Sequence, residues 1–121
     1  MTNDTNPKYD LEERTAKFGE EIIKFCRKIP KDVITLPLIN QLVKCGTSIG
    51  ANYSEADDAE SKQDFKHKIG ICKKESRETK HFLRMMQSAL SDVKLIEEGK
   101  VLHQEAKELN LIFNTIYKKV S

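Results

Sequence analysis

The sequence contains no tryptophan, and only 5 glycines and 3 prolines occur among its 121 residues. So few turn-forming residues suit long helices better than a sheet protein with many turns. No apolar run approaches the roughly 18 residues that a membrane span requires. Residues 1–10 are polar and lack the apolar core of a secretory signal. The expectation is a cytoplasmic protein with no membrane association. Cysteine is scarce as well. Cys26, Cys45 and Cys72 match no metal-ligand spacing, and an odd number argues against a disulfide framework. Each falls among apolar helical positions and reads as a buried thiol acting as a small hydrophobe. No nucleophile, base and orienting group form a set, so neither an enzyme nor a cofactor is expected.

What is present has helical periodicity. Charged residues make up 33% of the chain, and its length suits one domain with a real core. Residues 1–9 read as a flexible tail. Asp10 with Glu13 resembles a capping box, and Leu11, Thr15, Phe18, Ile22, Phe25 and Ile29 then follow at steps of four and three. Pro30 closes this helix, residues 31–36 form a connector, and Pro37 suits the first turn of a second helix. One face of that helix holds Leu38, Leu42, Cys45, Ile49, Asn52 and Ala56; another holds Ile39, Val43, Gly46, Gly50 and Tyr53. Ser61 and Asp64 open a third helix, whose main stripe is Phe65, Ile69, Cys72, Ser76, Thr79, Leu83, Met86 and Leu90. Its second stripe is Ile71, Glu75, Glu78, Phe82 and Met85. After a turn at Ser91–Asp92, Leu95, Gly99, Leu102, Ala106, Leu109, Phe113, Ile116 and Val120 define a fourth helix, with a bend expected at Gly99. Short connections make neighbouring helices antiparallel. The expected fold is all-α, an antiparallel up-down-up-down four-helix bundle over residues 10–121.

Several residues invite a functional reading. Gly46 and Gly50 each cost roughly 1 kcal/mol inside a helix, which implies close approach of another backbone. Ser48, Asn52 and Glu55 recur along the same helix, as a polar network fixing register or as a pocket. Glu75 and Glu78 lack the histidine that a bundle metal site would add. As carboxylates among apolar residues they need a cation, such as Lys44 or a basic group of another subunit. His67 and His81 are about 21 Å apart along one helix, too far to share a metal, and all three histidines, with His103, are expected to be exposed. Charge is uneven. Residues 1–60 carry a net −3 and residues 61–121 a net +5. Lys66, Lys73 and Lys80 repeat every seven residues, and Arg77 and Arg84 line another edge beside Lys74. Such a row is either an ordinary solvated face or a surface for phosphates. No aromatic residue interleaves with it on the exposed edge, so base stacking is not expected.

The run Gln41-Leu42-Val43-Lys44-Cys45-Gly46-Thr47-Ser48-Ile49-Gly50-Ala51-Asn52, with Glu55-Ala56, resembles the signature of the bacterial four-helix-bundle proteins named after the intervening sequence of 23S ribosomal RNA. Asp64-Phe65, Lys68-Ile69, Lys73-Lys74-Glu75, Glu78-Thr79 and Phe82-Leu83 add to the likeness, which spans roughly residues 10–118. Lys44 and Cys45 stand where arginine and serine are common, and a lysine lacks the bidentate fork of arginine. The resemblance implies a homopentameric ring of bundles with no established enzymatic activity. It also implies kinship with the accessory variability proteins of diversity-generating retroelements, which work with nucleic acid. Two expectations follow. One is a non-enzymatic oligomer that binds RNA or DNA through the basic surface of the third helix. The other is a scaffold oligomer that binds a protein partner.

Overall fold

The computed structural model describes residues 10–120; the tail expected at residues 1–9 lies outside the described residues. Four helices follow one another: α1 (Leu11–Lys28), α2 (Thr35–Asp57), α3 (Lys62–Ala89) and α4 (Val93–Lys119). No strand occurs among the described residues. Side-chain oxygens start three of the helices, at Asp10 and Ser61 as expected and also at Asp92. Asp10 accepts from the Glu13 amide, Ser61 from Asp64 and Asp92 from Leu95.

Pro37 lies in the first turn of α2, as expected, but the helix starts at Thr35, inside the connector expected at residues 31–36. Asp32 Oδ1 accepts from the amides of Ile34 and Thr35 at 2.8 and 2.9 Å. Thr35 Oγ1 accepts from the Asp32 amide and donates to the Pro30 carbonyl at 2.6 Å. This reciprocal cap begins the helix two residues before Pro37 and shortens the connector. The Thr35 amide, first among its bonds, holds the Asp32 carboxyl below its ordinary range.

The main stripes meet in one core. Ile22, Phe25, Leu42, Ile49, Ile69, Cys72, Leu83, Met86, Ala106, Leu109 and Phe113 are fully buried within it. All three cysteines are buried free thiols, and burial pushes the Cys72 thiol up to about 12. Consecutive helices pack most closely, and α4 returns to α1 along a sparser seam. Charge bridges that seam. Arg14 donates two hydrogen bonds to Glu105, at 2.7 and 2.8 Å, and a third to Glu108 at 3.0 Å. Lys28 reaches Glu98 at 2.8 Å.

The second face of α2 is occupied within the chain. A Cβ at Gly46 would lie 3.0 Å from Ile22 Cγ1, and one at Gly50 3.4 Å from the Ala16 backbone nitrogen. The close approach implied by the two glycines is therefore made by α1. Ile39, Val43 and Tyr53 are half-buried against the same core. Gly99 marks a close approach. The helix runs on through it, and a Cβ there would meet the Gln87 side-chain amide and lie 3.3 Å from Phe25 Cζ.

Candidate nucleic-acid interface

The fold sorts charge between its two hairpins. Glu98, Glu105 and Glu108 of α4 point to α1, where Lys28 and Arg14 pair with them. The other side of α4 faces α3 and presents Asn110, Asn114, Tyr117 and His103. Opposite them, Lys66, Lys73 and Lys80 are half-buried, while Lys74, Arg77 and Arg84 are exposed. None of these six cations is in an ion pair among the described residues. Lysine stems pack along the seam and keep their charged heads at its surface.

One recess collects most of them. Gly70, Lys73, Lys74, Arg77, Lys80, Asn110 and Asn114 line a cavity of about 260 Å³ between α3 and α4. Its floor is a hydrogen-bonded network. The buried Asn110 amide donates to the Lys73 carbonyl at 2.9 Å and to Ser76 Oγ at 3.0 Å. Asn110 Oδ1 in turn accepts from Asn114 Nδ2 at 3.3 Å. One end of the recess is set by Tyr117. A Cβ at Gly70 would lie 3.1 Å from Tyr117 Cε1, so the glycine admits the ring against α3. The ammonium groups of Lys66 and Lys73 then sit 4.7 and 4.5 Å from the ring centroid. Such cation–π contacts hold flexible lysines in place.

The basic row continues towards the start of α4. Arg84, Gln87, Lys100 and His103 line a second recess of about 410 Å³. His103 is half-buried here rather than exposed. Desolvation first, then the charges of Lys80, Lys107 and Arg84, depress its pKa. His67 and His81 are exposed, as expected.

The motif residues of α2 are arranged differently from a network between helices. Ser48 Oγ donates to the Lys44 carbonyl and Asn52 Nδ2 to the Ser48 carbonyl, both within α2. Glu55 alone crosses, in a salt bridge with Lys68 of α3. Lys44 makes no ion pair with Glu75 or Glu78 among the described residues. Glu75 is half-buried, and desolvation ahead of the neighbouring Glu78 charge raises its pKa. Among the described residues no three His, Cys, Asp or Glu side chains gather as metal ligands would.

Three residues of the seam were not singled out in the sequence: Asn110, Asn114 and Tyr117. Their spacings of four and three mark one face of α4, a signal open to reading. That this face meets the lysines of α3 depends on helix rotation, which periodicity alone does not set.

A family profile described as 23S rRNA-intervening sequence protein matches residues 8–115. The chain belongs to this family. Among curated proteins, none matches it. One solved relative from the family's structural neighbourhood is a protein with unknown function of the S23 ribosomal protein family, from Bacteroides thetaiotaomicron VPI-5482. It is 26% identical, with a TM-score of 0.77, over 89% of this chain and 98% of that one. Within this chain the α2 motif has structural roles: Gly46 and Gly50 seat α1, while Ser48 and Asn52 bond within their own helix. No helix among the described residues is long and apolar enough to cross a membrane.

Proposed function

We infer that this 23S rRNA-intervening sequence protein is a non-enzymatic nucleic-acid-binding protein whose α3–α4 seam grips phosphates. The observation that carries this reading is the set of six α3 cations, Lys66, Lys73, Lys74, Arg77, Lys80 and Arg84, along one seam, none in an ion pair among the described residues. Unpaired cations in a row raise the local concentration of a polyanion and bind it by releasing its counterions. Tyr117 is covered by two lysines, so contact is to phosphates and sugars rather than to stacked bases. The solved relative's place in a ribosomal protein family directs the first choice to RNA. Retention of RNA or DNA at low salt, measured with the purified chain and with a Lys66→Glu, Lys73→Glu, Lys80→Glu variant, tests it. Binding that the variant loses supports the reading; no retention, or retention that the variant keeps, overturns it.

A second reading concerns assembly, in keeping with the homopentamer that the family resemblance implies. Ile71, Glu75, Phe82 and Met85 of α3 remain half-buried on the side towards α2. Glu75 makes no ion pair among the described residues, the charges of Lys74 and Lys44 offset its desolvation only in part, and a cation from a second copy or from a protein partner would relieve the rest. Sedimentation at micromolar concentration is expected to give an oligomer that Glu75→Lys dissociates. A stable monomer contradicts self-association, and leaves a protein partner for this face.

A further inference from the structure

The recess between α3 and α4 differs from the rest of the basic row in shape and in composition. Its lining holds Lys73, Lys74, Arg77 and Lys80, and no carboxylate. At about 260 Å³ it has room for a phosphate group and several waters, each of which occupies roughly 30 Å³. Two neutral amides complete it. Asn110 is locked by its bonds to Lys73 and Ser76 and presents its oxygen to Asn114. Asn114 spends one N–H on that oxygen, which leaves its second N–H for a ligand. Tyr117 steadies Lys73 at the edge of the recess.

These features select among phosphates. An internal phosphodiester carries one negative charge and two free oxygens. It is served equally well by the open row of Lys66, Lys73 and Lys80, spaced by about 10 Å per heptad. A phosphate monoester carries close to two charges and three strong acceptor oxygens. Four cations and an amide donor around one small concavity match the monoester better. We propose that this recess is a site for a terminal phosphate monoester, carried by a nucleic-acid end or by a free nucleotide. The site rests on the nucleic-acid reading of the seam only for the first of these two sources.

Two titrations of the full chain separate the sources. In the first, adenosine 5′-monophosphate and its 3′,5′-cyclic diester are added while the NMR signals of the Gly70 backbone amide and the Asn114 side-chain amide are followed. The monoester is expected to shift both signals saturably, and the cyclic diester not to. In the second, a short RNA bearing a 5′-phosphate is compared with the same RNA bearing a 5′-hydroxyl. The phosphorylated end is expected to bind about tenfold tighter, as charge-assisted hydrogen bonds allow. Arg77→Gln, at an exposed position that the fold does not need, is expected to abolish both preferences. Equal response to monoester and diester, or no response to either, overturns the site. Monoester shifts without any RNA binding assign it to a nucleotide and remove the nucleic-acid reading instead.

Discussion

Glycine at three α1–α2 positions has three different consequences. At Gly46 an added Cβ would lie 3.0 and 3.1 Å from two carbons of the fully buried Ile22. Overpacking there costs about 1–3 kcal/mol, against roughly 1 kcal/mol gained in helix propensity. Gly46→Ala is therefore expected to lower stability by about 1 kcal/mol in urea unfolding. Gly19 faces Thr47 Cα at 3.5 Å, an ordinary contact. Gly19→Ala is expected to be neutral or to stabilise by up to about 1 kcal/mol. Gly50 lies between, 3.3 Å from a Thr15 hydroxyl that is already bonded to the Leu11 carbonyl. The need for close approach could be read from Gly46 and Gly50 in the sequence. Which helix approaches could not, because a smooth strip fits any backbone.

At the scale of helices, the stripes of α1 and α4 and the main stripe of α3 were legible throughout, since each repeats at the helical period. The two seams beside α4 were not. Arg14 with Glu105 and Asn110 with Ser76 join residues far apart in sequence, and neither partner has a pattern of its own. Asn110 also hid Ser76, which passes in a stripe as a small residue. Replacing Asn110 with alanine removes a buried donor pair and leaves a void. A loss of about 2–3 kcal/mol in urea unfolding is expected, and unchanged stability would mean the network does not hold α3 to α4. His103 adds pH dependence to the same seam. Its folded pKa lies below the unfolded value, so the unfolded chain takes up the proton first. Stability from this group is intact above about 6.5 and falls as pH drops through the unfolded pKa towards the folded one. A bound polyanion reverses the preference by favouring imidazolium. RNA affinity is expected to rise as pH falls towards the depressed folded pKa of His103, and the rise should vanish in His103→Gln.

For the whole molecule, the net −3 of residues 10–60 and the net +5 of residues 61–120 become two sides of one bundle. Glu98, Glu105 and Glu108 of α4 turn to α1 and are neutralised there, and Glu97 pairs with Lys100 within α4, so the α3–α4 side keeps its positive charge. The uneven charge was visible in the sequence; its concentration into a lined seam with Asn114 and Tyr117 required the pairing of α4 with both neighbours. The measurement that bears most directly on this account is the salt dependence of binding to a single-stranded RNA. With four to six phosphates engaged, the slope of log affinity against log salt is expected near −3 to −4, and shallower by about 2 when Lys66, Lys73 and Lys80 become Glu. A slope near zero, or one that the three substitutions leave unchanged, would contradict it.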